Sequence, residues 1–541
     1  MSTVKDNIVF GGNYTPAGVL KHTSLGSYLL ENIRGHGDDV LYIDALTGRE
    51  YTAKEFYDRV IRMIYCLIRL NVKESDVVGL SSENCFDYIV VLFATFCVNA
   101  TAAPFNVTYS EREFDHAINL SKPKVFFTSK GPAERVAKVA RKNNYLKHVF
   151  IFDDVSSFKG VIPFAHLIDN PKIKSGADYQ PKPTKVHDRV ALIVCSSGTT
   201  GMPKGVQITQ FNILSTIDTQ MDPEAVNFGG IPVLSVIPWF HAFGCLTLIM
   251  CTCMGTQLIY LPKFEETVFL GAIEKYRVML AFMVPPLMVF LAKHPIVDKY
   301  DLSSLVMLLS GAAPLSKETE DAIKARIGVP TIRQGYGLSE GTLSLTVQSD
   351  EKCKPGSVGV LRKGLYAKVI DTETGKPLGK NQRGELCFKG DCIMKGYIGD
   401  KNSTDAMIKN GWLHTGDIGF YDEDFEFFIV DRIKELIKYK AFQVPPAEIE
   451  ALLLTHDKIK DVAVVGKPDE SAGELPFAFV VKQNGANLTE QEVMDFVAAN
   501  ASSPKKLRGG VKFVNEIPKN ASGKILRRVL REMLKRPKSK L

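Results

Sequence analysis

The sequence predicts an α/β protein. A large N-terminal domain of parallel-rich sheets covered by helices spans 1–431, a hinge spans 432–438, and a small mobile α+β C-terminal domain spans 439–541. Three observations predict it. Short apolar runs alternate with longer amphipathic ones through the first 190 residues, as strands alternating with covering helices require. A charged stretch, Asp431-Arg432-Ile433-Lys434-Glu435-Leu436-Ile437-Lys438-Tyr439-Lys440, lies past the last strand-like run of that region. The segment C-terminal to this stretch is long enough to be a domain and reads helix, strand, strand, helix. No fixed-period repeat and no low-complexity tract interrupts the chain.

Taken in order, Tyr51 to Leu70 carries Phe56, Val60, Ile64 and Leu67 on one helical face. Thr52 is its expected N-cap, with Glu55 three residues on completing a capping box. Asp76 to Leu80, Val125 to Thr128 and Val149 to Phe152 read as buried strands, and Phe86 to Val98 as a mostly buried helix. Pro171 to Lys185, rich in Pro and Lys, is expected as a surface loop leading into the apolar strand Val190 to Cys195. Val278 to Val284 is a further strand, ended by Pro285-Pro286. Beyond the hinge come helix Pro445 to Leu454, strands Val462 to Val465 and Ala478 to Val481, and helix Thr489 to Asn500.

Composition removes several classes. The chain is 45% hydrophobic and 23% charged, with net charge +7 and no stripe of interleaved basic and aromatic residues, so no nucleic-acid partner is expected. Its ten cysteines lack paired spacing and read as reduced, mostly buried thiols. The polar first residues lack a signal-peptide core. The longest apolar run, Val278 to Ala292, is too short for a transmembrane segment, which needs roughly 20 residues. The chain ends Ser539-Lys540-Leu541, an address read by the peroxisomal import receptor, so a peroxisomal location is expected.

The chemistry-bearing stretches come after the strands. The first is Ser196-Ser197-Gly198-Thr199-Thr200-Gly201-Met202-Pro203-Lys204-Gly205. Glycines there let backbone N–H groups approach a phosphate, hydroxyls add donors and Lys204 adds charge. It is no Walker A loop, because Gly205 stands where that motif has Ser or Thr. Ser235 to Gly244 sets His241 among aromatic and small residues. Ser310-Gly311-Ala312-Ala313 is a small-residue turn on which a flat base could lie. In Gln334-Gly335-Tyr336-Gly337-Leu338-Ser339-Glu340, an aromatic ring between glycines precedes a hydroxyl and a carboxylate able to hold Mg²⁺. Asp417, ending Gly411-Trp412-Leu413-His414-Thr415-Gly416-Asp417, suits two ribose hydroxyls, with Arg432 nearby in sequence. The last such stretch, Ile517 to Arg528, carries Lys524 on a Gly523 turn.

These motifs, in this order and over nearly the whole chain, resemble the adenylate-forming superfamily of acyl-CoA synthetases, beetle luciferases and peptide-synthetase adenylation domains. Among its members the chain is most similar to the insect luciferase-like long-chain fatty acyl-CoA synthetases. The resemblance implies ATP binding by Ser196, Ser197, Gly198, Thr199, Thr200, Gly201, Lys204, Gly311, Ala312, Ala313, Gln334, Gly335, Tyr336, Gly337, Ser339, Asp417, Arg432 and Lys524. It implies an acyl pocket at His241, Phe243, Thr247, Gly311 and Leu343, Mg²⁺ at Glu340, and coenzyme A contacts at Lys438, Ala441 and Gln443. Lys524, Lys204, Lys438 and His241 would be catalytic, with Lys524 serving acyl-AMP formation and Lys438 the thioester step after domain rotation.

The chain departs from the family pattern at four places. Gln210 replaces a frequent His, Ala312 a Gly of the luciferases, Leu343 a small polar Ser beside the luciferin ring, and Ala441 a Gly near the pantetheine arm. The implied reaction is ATP-dependent formation of fatty acyl-AMP with release of pyrophosphate, then of acyl-CoA with release of AMP. The alternatives are a luciferase-type monooxygenase using luciferyl-adenylate and O₂, and a non-catalytic acyl-nucleotide binding protein. Acyl chain length and oligomeric state are not written in these motifs.

Overall fold

The computed structural model describes residues 2–153, 159–173, 178–196, 203–313, 315–349, 354–440, 442–520 and 523–535. Ser197 to Gly201 of the first motif, Ala441 and the terminal Ser539-Lys540-Leu541 lie outside them.

Two parallel-rich sheets form the large domain. One runs Gly396–Tyr397, Lys204–Thr209, Val190–Ser196, Thr101–Pro104, Val77–Ser81, Val125–Thr128, His148–Ile151, Ile162–Pro163. The other contains six mutually parallel strands, Thr331–Gly337, Met307–Ser310, Leu280–Met283, Pro232–Ser235, Gln257–Tyr260 and Val40–Asp44. Helices Leu25–Gly35, Ala53–Arg69, Phe86–Cys97, Gln210–Gln220 and Ala242–Cys253 pack their apolar residues into one core shared by the two sheets. Phe86–Cys97 buries every residue but Asp87, which pairs with Arg59 at its rim. Helices Glu111–Ser121 and Lys130–Lys142 cover the outer face of the first sheet, and Glu266–Lys275, Pro285–Lys293 and Lys317–Ile327 that of the second.

A third sheet is antiparallel and joins ends of the chain that no local pattern links. Ile8–Phe10 pairs with Tyr366–Ile370, which pairs with Gly384–Lys389 and then Trp412–Tyr421. Phe427–Arg432 closes that side, with Asp417 opposite Arg432 in register. The small domain is a five-stranded sheet, Phe442–Val444, Ile437–Tyr439, Gly473–Lys482, Ile459–Asp469 with Gly510–Phe513 alongside Gly473–Lys482, packed on helices Pro446–Leu454 and Glu490–Asn500.

The expected elements are present, with informative differences. Thr52 caps helix Ala53–Arg69 by accepting from the Glu55 N–H, but the Glu55 carboxylate turns to Arg49 at 3.0 Å, so the capping box is only half made. Thr489 and Glu492 make a complete one. The Val278–Val284 run is the strand Leu280–Met283, and the two prolines start helix Pro285–Lys293. Ile437 and Lys438, expected in the hinge, form the first strand of the small sheet. Ile433 and Leu436 pack instead on Ile418 and Val430 of the third sheet. Among the described residues no helix is long and apolar enough to cross a membrane.

Candidate active site

One cavity of about 630 Å³ lies where the parallel strands end and the small domain meets the large one. Carboxyl ends of parallel strands are where α/β sheets build ligand crevices, because loops leave there and side chains need no longer pair in the ladder. Ser196 ends Val190–Ser196, Gly311 and Ala312 come just after Met307–Ser310, and Gly335, Tyr336 and Gly337 end Thr331–Gly337, all on the wall. Lys204, His241, Phe243, Ser339, Glu340, Leu343, Arg432 and Lys524 line the same cavity.

Lys204 reaches the Ser403 hydroxyl, lies 3.5 Å from the Asp400 carboxylate, and sits over the Tyr397 ring at 5.1 Å. Tyr397 also donates to Glu340 Oε1 at 2.8 Å. Glu340 is 7% exposed yet on the wall. Its oxygen donors, next to a lysine-lined space for phosphates, fit a hard divalent cation held partly by phosphate. Tyr336 donates its hydroxyl to Asp417 Oδ2 at 2.6 Å, and Arg432 Nε lies 3.0 Å from Asp417 Oδ1. The contact to Oδ1 is close in distance but poorly directed as a hydrogen bond, so that oxygen keeps accepting capacity. Burial, reinforced by the Asp417 carboxylate, holds the Tyr336 phenol well above its ordinary range, so it stays protonated and donates.

On the apolar side, His241 is the N-cap residue of helix Ala242–Cys253 and its Nε2 is buried with no hydrogen-bond partner among the described residues. Burial pushes its pKa down to about 4, so the imidazole is neutral at pH 7. Phe243 lies against the backbone of Gly311; a Cβ there would sit 3.3 Å from the ring. Leu309 and Leu343 complete this side. Ala312 and Leu343 adopt left-handed backbone angles, φ +71° and +85°, which L residues disfavour.

The small domain contributes Asn520 and Lys524 to the wall. Gly523 has φ +79°, and an added Cβ would meet Pro286 Cγ of the large domain at 3.0 Å. That close approach places Lys524 inside the cavity. Burial, and then the neighbouring Arg432 cation, push its pKa down to about 8. Arg531 bonds Glu435 at 2.8 Å and Arg383 approaches Glu448 at 3.4 Å, further ties near the junction.

Several expected residues are not on the wall. The Gln334 side chain donates to Glu320 and to the Leu315 carbonyl, and accepts from the Leu315 N–H, so it holds the turn rather than a nucleotide. Thr247 is buried within its helix. Lys438 and Gln443 face each other across the exposed hairpin Ile437–Tyr439 and Phe442–Val444, away from the cavity. Ala313 also lies off the wall, and Asp417 is buried just behind it, with its neighbours Thr415 and Gly416 and its partners Tyr336 and Arg432 on the lining. Gln210 is buried and ties Asn99 to the Leu25 N–H, a structural role. Motif reading missed Tyr397, Asp400 and Ser403, the partners of Lys204 and Glu340. Their signal was a hydroxyl and carboxylate cluster in Tyr397 to Asp405, which only the pairing of Gly396–Tyr397 with Lys204–Thr209 brings to the site.

Comparison with known proteins agrees with this geometry. Residues 29–398 match the model of the AMP-binding enzyme family, and residues 448–524 that of the AMP-binding enzyme C-terminal domain. The chain is 39% identical over 543 residues to luciferin 4-monooxygenase of Nipponoluciola cruciata, covering 99% of each. It is 38% identical to probable 4-coumarate–CoA ligase 2 of Dictyostelium discoideum, covering 98% of each. Among solved structures it superposes on ATP-bound MatB from Rhodopseudomonas palustris with a TM-score of 0.85 at 26% identity, covering 94% of this chain and 99% of that one.

Proposed function

The chain belongs to the AMP-binding enzyme family, and from that premise we propose that it activates medium to long fatty acids as coenzyme A thioesters. Adenylate-forming activity of the acyl-CoA ligase type is the family's chemistry. The fatty acyl preference is our own reading. It rests on one observation: Phe243, Leu309 and Leu343, with the neutral His241, make the acyl side of the cavity aliphatic and aromatic, with no charged group among them.

In the first half-reaction a carboxylate oxygen attacks the α-phosphorus of ATP and the bond to pyrophosphate breaks. Negative charge gathers on the phosphate oxygens, so positioning and electrostatics carry the rate. Lys204 and Lys524 face that charge from the two domains. Asp417, held by Tyr336 and Arg432, would take the ribose hydroxyls. Glu340 would hold Mg²⁺, which would neutralise part of the triphosphate charge. In the second half-reaction the thiol of coenzyme A loses its proton to solvent, its sulfur attacks the acyl carbon, and the bond to AMP breaks. The Lys438–Gln443 hairpin would face the cavity for this step, after rotation about Ile433–Leu436.

The test is a panel of carboxylic acids of increasing chain length, assayed with MgATP and coenzyme A for thioester and pyrophosphate. Thioester from fatty acids is the expected result. Turnover of 4-coumarate with none of any fatty acid would overturn the acyl assignment while leaving ligase chemistry intact. A second reading, oxygenation of an adenylated luciferin, is favoured by the full-length similarity to luciferin 4-monooxygenase. Light on adding MgATP, luciferin and O₂ would support it.

A further inference from the structure

At one stretch of the cavity wall, two lining side chains and one buried beneath them are of ligand type and left unused by the adenylation chemistry. Glu385 and Cys387 stand two residues apart on strand Gly384–Lys389, so both project from one face of the sheet. His414 lies directly opposite Cys387 on the antiparallel neighbour Trp412–Tyr421. The ladder register shifts between Glu385 and Cys387, beside the pair that faces His414. His414 Nδ1 is 3.1 Å from Glu385 Oε2 and 3.5 Å from Cys387 Sγ. All three donor atoms lie within 4.8 Å of one another.

These separations can be compared with what an ion would need. Tetrahedral Zn²⁺ binds nitrogen and oxygen at about 2.0–2.2 Å and thiolate sulfur at about 2.3 Å, which sets neighbouring donors about 3.3–3.6 Å apart. The two measured separations involving His414 are within a few tenths of an ångström of that range. The remaining Glu385 oxygen, Oε1, accepts the Gly416 N–H at 3.0 Å, which orients the carboxylate from behind. Glu385 and His414 line the cavity, whereas Cys387 is fully buried beneath them. Three fixed protein donors with one side open is the arrangement of zinc sites that keep an exchangeable fourth position.

We propose that Glu385, Cys387 and His414 form a site for a borderline-soft divalent cation, Zn²⁺ by its donor set, whose fourth position opens into the cavity. The mixed sulfur, nitrogen and oxygen donors separate it from the Mg²⁺ carboxylate at Glu340, since Mg²⁺ takes oxygen donors only. Binding releases the Cys387 thiol proton to solvent, leaves the His414 ring proton on Nε2, and replaces the His414–Glu385 hydrogen bond by two metal bonds. Gly416 and Asp417 come within three residues of His414, so a bound ion would fasten the turn that carries Asp417.

The full-length protein, free of nucleotide, is titrated with Co²⁺ as a spectroscopic stand-in for Zn²⁺. One equivalent should give a thiolate-to-cobalt charge-transfer band, displaced by one equivalent of Zn²⁺. Cys387→Ser should lose the band and weaken Co²⁺ binding at least about 10-fold, because the thiolate is gone. Its metal-free melting curve reports whether it folds. Glu385→Gln should keep the band and weaken binding, and it serves if the serine variant does not fold. A band that survives unchanged in Cys387→Ser, or no saturable band in the parent protein, would overturn the site and leave His414 and Glu385 as a hydrogen-bonded pair that holds the Gly416 turn.

Discussion

The two lysines of the small domain sit in opposite circumstances. Lys524 enters the cavity beneath Pro286, and burial beside Arg432 drives its pKa down to about 8. Lys438 is exposed on a hairpin, and its backbone N–H donates to Glu474 at 2.9 Å. Residue type is the same, so the difference is one of solvent and neighbours. A desolvated lysine lining the cavity can act on charge developing there, while an exposed one outside it cannot from this position. Under the proposed assignment this arrangement suits adenylate formation, with the hairpin proposed for the thioester step pointing away from the cavity.

The sharpest way to break this contrast is to remove each ammonium in turn. Lys524→Ala should lower acyl-AMP formation roughly 10²–10³-fold, the cost of losing one electrostatic stabiliser, yet make thioester from supplied acyl-AMP at near the parent rate. Lys438→Ala should give the reverse pattern. Single-turnover assays of each half-reaction decide it, and parallel loss in both would end the division of labour.

Asp417→Ala tests the ribose assignment on the large domain, just behind the wall formed by Tyr336 and Arg432. Hydrogen bonds to a charged group are worth about 1.5–3 kcal/mol, so KM for ATP should rise roughly 10- to 150-fold while KM for the acid changes little. Equal effects on both substrates would mean that Asp417 serves only Tyr336 and Arg432.

Lys524 also makes a pH signature. It is charged below about 8 and neutral above, so kcat/KM for adenylation should fall as pH rises past 8, approaching tenfold per unit. Bound triphosphate favours the charged form, so the limb in kcat should lie at higher pH. Lys524→Arg should erase the limb, since guanidinium stays charged. A falling limb near 8 that persists in Lys524→Arg would assign it to another group.

Gly523→Ala would force a Cβ against Pro286 from a backbone at φ +79°, a strain of about 1–2 kcal/mol. Adenylation should drop several-fold more than thioester formation, measured in the same paired assays. The smallest effect belongs to Ala312→Gly. Relief of the left-handed alanine is offset by the greater freedom of glycine in the unfolded chain, so stability should change by less than about 1 kcal/mol, read by thermal or denaturant unfolding.

The outcome for individual residues shows where sequence reading stops. Helix Ala53–Arg69 and its Thr52 cap were legible because caps and amphipathic faces are set within a few residues. Glu55 was not, because Arg49 competes for its carboxylate in the folded chain. Gln334 sits inside a motif string, yet its side chain is taken by Leu315 and Glu320 in the folded chain, leaving Gly335 and Tyr336 on the wall. The third sheet escaped notice because Ile8–Phe10 and Tyr366–Ile370 meet only through tertiary pairing.

By itself the sequence determined the α/β class, the order of the motifs and the chemical type of each group offered to a nucleotide. Those properties arise from local periodicity and side-chain chemistry, which need no partner distant in the chain. The tertiary structure alone decided which groups share a cavity, that Tyr397 and Asp400 hold Glu340 and Lys204, and that Lys524 rather than Lys438 is inside. Contacts between residues hundreds of positions apart, and the desolvation they impose, exist only once the sheets are paired and the small domain is docked.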